Sequence, residues 1–542
     1  MAAAEALLNQ CLALDPDNIR ALLNLGMLAS NRRAHDIAED ALRRAAALAP
    51  NAETVSALAQ TLKAMGKADE AAEAYLRVLG SIPEHAPALA GLAEVYQEKG
   101  DRLSAAELFR RAWAAQPGDI DAAMRYATLA ADDDADEPGR VMAALLAIPG
   151  ISRSKRLRVL STLVTLKEFG ERKKQHLMPY HATSLDEMFF NHTATDFADY
   201  RNTALAALQD QPNDGGALVS AMLAHFCMRE FPQAESMLQR LRALQPGQMW
   251  DATTFDHNFH RDLAARDDDD LFGALPPVRD VLIPDFTAEN IIYLACSSAY
   301  FDNFGVPMLR SLEERGPGEQ VHLHLMEVGD NDIALIKAIC ARFEKLNIAV
   351  TIERPGFANQ RSPEARGYYH AVRFIRYFQH LRRHGRALWM MDVDALFNRS
   401  PNALYATLGV SDAAFRARPG RLEPWNQFSA GIVGARATPA ALRYFRAVAA
   451  YIAHFQRIKK LFWGIDQAAM FSAFIYLQEC GTAPTLTFLD DLAMDLGYGD
   501  QGILWCSAGI KKFEMLDQDA VPDESKPEGR YHARYKHYRW PG

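Results

Sequence analysis

Two acids one residue apart interrupt an apolar run at Ala387-Leu-Trp-Met-Met-Asp-Val-Asp-Ala-Leu-Phe397. In a strand, alternate side chains share a face, so Asp392 and Asp394 are expected side by side at the strand's C-terminal end. Like charges that close repel, which raises one pKa unless a cation lies between them. Hard divalent cations take oxygen ligands, often only one or two carboxylates, and keep water and phosphate oxygens. The pair therefore reads as a metal site that also holds a phosphate. The plainer alternative is a strand ending in an Asx turn with both carboxylates solvated.

Four further residues could do chemistry. Arg373 and Arg376 lie one turn apart on a helical stretch whose other face carries Phe374, Tyr377, Phe378 and Leu381. Guanidinium groups suit bidentate phosphate contact, and the alternative is a solvated basic face. Gly431 interrupts the apolar run Phe428-Ser-Ala-Gly-Ile-Val433, where it either admits a ligand close to the backbone or marks a bulge. Asp466 stands before Gln467-Ala-Ala-Met-Phe-Ser-Ala-Phe-Ile-Tyr476. It reads as a helix cap, a role compatible with holding a hydroxyl or taking a proton at a pocket.

These residues need a scaffold. Ile291–Ala295, Val321–Met326 and Ile348–Ile352 read as strands, each followed or preceded by helical sequence, with 368–384 an amphipathic helix before the acidic pair. Strands alternating with helices predict a mostly parallel, doubly wound sheet, and such sheets bind ligands at the carboxyl ends of their strands. Upstream, four consecutive acids in Ala265-Arg-Asp-Asp-Asp-Asp-Leu-Phe272 and a Pro-Pro pair resist helix and strand, so 264–286 is read as a linker.

The first half has another texture. Prolines at 16, 50, 83 and 117 stand 34, 33 and 34 residues apart, each past an alanine-rich helical stretch. Leu22, Leu25, Gly26, Ala38, Leu42 and Ala45 fill one period; Val55, Leu58, Ala59, Leu62, Ala71, Tyr75 and Val78 the next; Leu89, Leu92, Ala93, Tyr96, Ala105, Phe109 and Ala112 the third. Gly66 and Gly100 fall where paired helices need a stop. This pattern resembles the tetratricopeptide repeat (TPR). Pro212 and Pro246, with Leu218, Ala221, Ala234, Leu238 and Leu241 in register between them, extend it. The expected domains are TPR repeats over 1–130, degenerate or irregular helical repeats over 131–263, the linker, and an α/β domain over 287–542. The fold class is thus an all-α solenoid joined to an α/β domain. The concave face of such a solenoid commonly binds an extended peptide, against the alternative that it only dimerises the chain or props up the second half.

Composition narrows the setting. A net charge of −9 argues against a general nucleic-acid binder. Six cysteines without paired spacing fit reduced thiols. The N-terminus lacks the basic region of a signal peptide, and no apolar run is long enough to span a bilayer. The expected location is the cytoplasm, and the Ala- and Arg-rich composition hints at a bacterial chain.

The order of elements over the last 250 or so residues resembles the GT-A-fold nucleotide-sugar glycosyltransferases, especially the glycogenin-like and lipopolysaccharide-galactosyltransferase group (family eight). The motifs that carry the resemblance are Ala295-Cys296-Ser297-Ser-Ala-Tyr300, Arg373-Phe-Ile-Arg376, Met391-Asp392-Val393-Asp394, Phe428-Ser429-Ala430-Gly431 and Trp463-Gly464-Ile-Asp466-Gln467. It implies that Asp392 and Asp394 bind Mn2+ or Mg2+ and that the metal grips the diphosphate of a sugar nucleotide, a UDP-sugar being favoured. The first motif would border the nucleotide base, and the Ser429–Gly431 strand would lie under the donor sugar. Retention of configuration is implied, with no protein nucleophile clearly required; were the enzyme inverting, Asp466 would be the candidate base, beside Gln467. One departure matters. The family's C-terminal histidine motif is replaced here by Ile503-Leu-Trp-Cys-Ser-Ala-Gly-Ile-Lys511-Lys512, so the third metal ligand would come from His532 or His537.

The expected activity is a metal-dependent glycosyltransferase acting on a protein chosen by the repeats, through the tethering that raises effective concentration. A glycan or lipid acceptor and a homo-oligomer are left open. The alternative is a TPR scaffold carrying an inactive transferase-like domain.

Overall fold

The computed structural model describes residues 2–131, 134, 136–175, 180–182, 194–247, 249–418, 422–462, 464–506 and 527–539. The chain divides into two compact units, Met1–Lys167 and Glu168–Gly542.

In the first unit, the 34-residue period becomes a series of antiparallel helix pairs. They are Ile19–Asn31 with His35–Leu48, Ala52–Ala64 with Ala68–Ser81, Ala86–Glu98 with Arg102–Ala115, and Ile120–Ala130 with Glu137–Leu146. Each pair starts at a capping residue in the same register. Asn18, Asn51, His85 and Asp119 accept from backbone N–H groups of their helix's first turn, satisfying donors that the helix leaves orphaned. The expected apolar positions are buried, Tyr96 partly so. The small residue at the eighth position does what its size allows: a Cβ on Gly26 would lie 2.4 Å from Leu42 Cγ. Gly66 and Gly100 take φ +76° and +84° between paired helices, and Arg33 adopts φ +60° at the matching point of the first pair.

The second unit opens with more helices of the same kind. Ala194–Asp210 is followed by Gly215–Cys227 and Phe231–Leu244, which bury Leu218, Ala221, Ala234, Leu238 and Leu241 as their spacing predicts. Phe226 packs edge-on against Phe471, ring centroids 5.5 Å apart, and stacks on Phe255 at 5.1 Å. Tyr451 Oη donates to Ala252 C=O at 2.6 Å, and Ser472 Oγ donates to Thr254 C=O at 2.6 Å while lying 2.8 Å from His260 Nε2. This repeat pair therefore shares one core with the sheet that follows.

His260 is 3% exposed, and burial, with His257 nearby, pushes its pKa down to about 3. It folds neutral but protonates in the unfolded chain below about 6.5. Its contribution is full above 6.5 and is lost as pH falls toward 3, at about 1.4 kcal/mol per pH unit. Between pH 6.5 and 4.5, urea titration of His260→Gln is expected to show a pH slope shallower than wild type by about that amount; equal slopes would refute the assignment.

The second unit's sheet has nine strands, β1 (Tyr180–Ala182), β2 (Arg279–Leu282), β3 (Asn290–Ser297), β4 (Gln320–Met326), β5 (Asn347–Glu353), β6 (Ala387–Met391), β8 (Ala413–Ala417), β9 (Phe428–Ala435) and β10 (Leu486–Phe488). Its order is β1-β10-β8-β9-β6-β3-β4-β5-β2. A smaller sheet has β12 (Leu504–Cys506) between β7 (Ala395–Phe397) and β11 (Met494–Asp495). The parallel block β6-β3-β4-β5 matches the expectation, but β9 runs antiparallel to both β6 and β8, and β2 antiparallel to β5. The sheet is mixed. Val321, Leu323 and Leu325 point into a core with Val306, Met308, Leu309 and Leu312 of helix Val306–Arg315. Residues 264–286 are not a structureless linker: Asp267 Oδ1 accepts the Asp270 N–H at 2.8 Å, and acids at a helix N-terminus are favourable, so Asp268–Phe272 is helical. β2 then extends the sheet. Among the described residues, no helix is long and apolar enough to cross a membrane.

Candidate functional site

The chain runs outward through β3, β4 and β5 and returns to β6 on the other side of β3. That reversal is a topological switch point, where crevices open at the carboxyl ends of the strands. Ser297 ends β3 and Met391 ends β6 there.

Asp392 and Asp394 follow β6 directly, but they do not lie within a strand. The Ala395 N–H donates to Asp392 C=O at 3.1 Å, so 392–395 form a turn between β6 and β7. Their side chains are each engaged from a different element. Arg373 Nη1 donates to Asp392 Oδ1 at 2.6 Å, and Tyr300 Oη donates to Asp394 Oδ2 at 2.9 Å. Asp394 is 8% exposed and the Asp392 side chain 31%. Burial, helped by Asp394, raises the Asp392 carboxyl above its ordinary value despite Arg373. Val393 between them is buried in the core.

Gly431 lies against this turn. The Asp392 N–H donates to Gly431 C=O at 2.9 Å, and a Cβ on Gly431 would sit 2.9 Å from Asp392 Oδ2 and 2.7 Å from Met494 Cε. Glycine is thus required by close approach, and the β8–β9 pairing also shifts register across this point, from Val433 opposite Phe415 to Phe428 opposite Ala417, while the β6–β9 pairing stays regular. Gly431→Ala should cost about 1–3 kcal/mol of stability by overpacking against Asp392 and Met494. Urea unfolding checks it, and an unchanged stability would show that the close approach is not tight. Ser429 and Ala430 are buried on the same strand, and Ala430 C=O accepts from Arg373 Nη2 at 3.2 Å.

Arg373 is the hub. Besides Asp392 and Ala430, it reaches Asp466 Oδ2 at 3.4 Å. Asp466 is fully buried, and His370 Nε2 lies 3.2 Å from the same oxygen. Burial pushes the Asp466 carboxyl up, but His370, Arg373 and the Gln467 N–H outweigh it and hold it below its ordinary range. Gly464, at φ +94°, is the N-cap of helix Ile465–Glu479, so Asp466 sits inside the first turn and accepts the Gln467 N–H at 2.9 Å. Gln467 is buried, and among the described residues its Oε1 has no partner.

Arg376 does not join them. It is 3% exposed and donates to Glu353 Oε2 at 2.8 Å, Gln379 Oε1 at 2.9 Å and Pro276 C=O at 2.7 Å. Neither a phosphate contact nor a solvated face describes it; it ties helix Pro363–His384 to β5 and to the segment before β2.

Ala295 and Cys296 are buried near the end of β3, and burial pushes the Cys296 thiol up. Ser297 Oγ caps the following turn by accepting the Tyr300 N–H at 3.3 Å. Trp463 and Lys511 lie outside the described residues. The tail forms helix Pro527–Tyr538, from which Tyr531 Oη donates to Asp394 C=O at 2.6 Å. His532 is buried and His537 exposed. Among the described residues, neither combines with Asp392 and Asp394 into a three-ligand cluster. Sequence reading missed His370, although its i, i+3 spacing from Arg373 shares a helix face, and it missed Tyr531 and Met494, which carry no local signal.

Residues 52–85 match the tetratricopeptide-repeat family. Solved structures similar to this chain include MamA, at 20% identity and TM-score 0.23, covering 32% of this chain and 88% of that one. A tetratricopeptide repeat protein from Parabacteroides merdae is similar at 13% identity and TM-score 0.30, covering 42% and 79%. YrrB, described as a TPR protein with an unusual peptide-binding site, is 15% identical at TM-score 0.26, covering 39% and 96%. No curated protein matches the sequence. The first unit is a helical repeat array, and residues 52–85 within it match the tetratricopeptide-repeat family.

Proposed function

We propose that the second unit is a metal-dependent glycosyltransferase of the GT-A kind, moving a sugar from a nucleotide diphosphate, a UDP-sugar being favoured, to a protein selected by the repeats. The observation that carries this reading is the pair of carboxylates at the switch point, with one Asp392 oxygen against Gly431. The residues fit the ion. Asp392 and Asp394 offer oxygen donors alone, as hard cations prefer, and burial beside a like charge makes a cation welcome. Bound there, Mn2+ or Mg2+ would act as a Lewis acid on the diphosphate leaving group.

The chain's own residues supply orientation. Arg373 aligns Asp392, and Asp466 keeps Arg373 and His370 in register. Asp466 is buried, ionised and already triply bonded, which suits a positioning charge better than a catalytic base and favours retention over inversion. Tyr300 and Tyr531 hold the Asp394 end of the turn from its side chain and its backbone. His532 and His537 are not needed as ligands if water and diphosphate complete the shell.

The array offers a pocket of about 430 Å3 lined by Arg110, Trp113, Tyr126, Glu137, Ala144 and Ile148, with Trp113 and Tyr126 rings 6.3 Å apart. Aromatic and arginine side chains are the usual anchors of a bound partner, which supports the peptide-selecting role.

The test is a thermal-shift screen of UDP- and GDP-sugars with and without Mn2+, since ligands of the folded state raise its melting temperature. Stabilisation that needs both sugar nucleotide and metal supports the reading, and no response to any donor overturns it. Trp113→Ala should then raise the acceptor KM while donor hydrolysis stays unchanged; an unchanged acceptor KM would count against selection by this pocket.

A further inference from the structure

Helix Pro363–His384 carries Arg373 near its middle and two histidines, His380 and His384, one turn apart at its C-terminal end. The i, i+4 spacing aims both at one face. That face meets the side of the sheet on which alternation along β4 sets His322 and His324, opposite the apolar core of Val321, Leu323 and Leu325. His322, His380 and His384 come together so closely that one ring nitrogen of each lies within 4.8 Å of the others. The His322 and His380 ring centroids are 3.9 Å apart, and His322 Nδ1 lies 2.7 Å from His384 Nε2.

As a purely hydrogen-bonded cluster this arrangement is incomplete. His380 is 3% exposed, yet among the described residues neither of its ring nitrogens has a hydrogen-bond partner. Buried polar groups are rarely left so, and each orphan costs the desolvation of its donor or acceptor. A cation accepting three nitrogens would relieve that cost.

We propose that His322, His380 and His384 form a structural zinc site that fastens the C-terminal end of helix Pro363–His384 to β4. Imidazole suits Zn2+. At Zn–N distances of about 2.0–2.1 Å, tetrahedral ligands stand roughly 3.3 Å apart, so the three nitrogens need shifts of about an ångström or less to close around an ion. Burial keeps all three rings in the neutral, ligating form by pushing their pKa values down.

The surroundings supply the partners that metal-bound histidines require. His322 Nε2 meets Thr351 Oγ1 at 2.9 Å, the same hydroxyl meets His324 Nδ1 at 2.9 Å, and His324 Nε2 faces Glu353 Oε1 at 3.8 Å. This relay leaves His322 Nδ1 for the ion. Arg383 and Arg386 oppose a cation beside His384. Arg383 is bound to both Asp280 oxygens at 2.7 and 3.0 Å, and Arg386 donates to Ala288 C=O at 3.0 Å, so neither points its charge solely at the cluster. Partly exposed His384 leaves a route for the ion and for water as the fourth ligand. The site stands apart from the carboxylate pair: Arg373 and His384 are roughly 16 Å apart along the helix. It does not depend on sugar transfer.

The experiment uses the full chain carrying Asp394→Asn, to disable the carboxylate pair, stripped with chelator and dialysed against Zn2+. Elemental analysis should find one Zn2+ per chain, and Co2+ in its place should give the intense visible absorption of tetrahedral coordination. His380→Gln and His384→Gln should each weaken Zn2+ binding roughly a hundredfold or more and remove the zinc-dependent rise in melting temperature. If His380→Gln does not fold, His384→Gln at the partly exposed end of the helix decides. Absence of stoichiometric Zn2+, or undiminished binding in the variants that fold, overturns the site.

Discussion

Asp394→Asn is expected to abolish Mn2+-dependent binding of a nucleotide sugar while leaving the metal-free protein folded. The substitution removes one of the two carboxylates proposed to hold the ion without changing shape, and an amide oxygen still accepts the Tyr300 hydroxyl that now bonds Asp394 Oδ2. The metal-free fold should change by no more than about 1 kcal/mol, the net value of an ordinary hydrogen bond. Asp394 also raises the neighbouring Asp392 carboxyl, so its removal lets Asp392 ionise more readily against Arg373, which offsets part of any loss. The effect on turnover is much larger. Charge stabilisation by a metal at a leaving group is worth several kcal/mol, and each 1.36 kcal/mol is a factor of ten, so kcat/KM should fall by roughly a thousandfold. Isothermal titration with Mn2+ and a responsive donor, followed by product assay, measures both. Retention of metal-dependent donor binding by Asp394→Asn and by Asp392→Asn would leave the proposed enzyme without its central feature.

Asp466→Ala should cost the second unit about 3–5 kcal/mol of stability. The carboxylate is fully buried between Arg373 at 3.4 Å and His370 at 3.2 Å. Removing one partner of a buried pair leaves the other charge uncompensated, at about 3–5 kcal/mol. Because the Asp466 pKa is held below its ordinary value in the fold, its contribution is complete above about pH 4 and is lost as acid protonates it. The penalty of Asp466→Ala should therefore be full at neutral pH and shrink below pH 4. Asp466→Asn, which keeps the shape but not the charge, should fall between wild type and Ala. Arg373 would then be left to Asp392 alone, weakening Mn2+ binding even though Asp466 does not ligate. Urea unfolding at pH 7 and 3.5 distinguishes this from a mere packing defect, whose cost would not change with pH. An Asp466→Ala protein as stable as wild type at neutral pH would show that the three groups are not an ionic unit.

The features readable from the chain alone are those set by neighbours within a few residues. The 34-residue period determined the helix pairs, because apolar spacing of 3.6 decides which face a helix buries and because caps such as Asn18, Asn51 and Asp119 act within one turn. The same holds for the parallel strands β3 to β6, whereas Asp392 and Asp394, expected on one face of a strand, fall in the turn between β6 and β7. The acid run at 267–270 misled, since consecutive aspartates discourage a helix in solution yet favour its first turn once a neighbouring core fixes it.

Tertiary structure alone decided which charge meets which. Arg373 and Arg376 are alike in type and spacing, yet one turns to Asp392 and Asp466 and the other to Glu353 and Pro276. Tyr300 reaches Asp394, His370 reaches Asp466 and His322 reaches His384 across gaps of 94, 96 and 62 residues. Such partners follow from strand order and from which face of helix Pro363–His384 meets the sheet. Local periodicity records that a face is buried, but it holds no term for what lies on the other side.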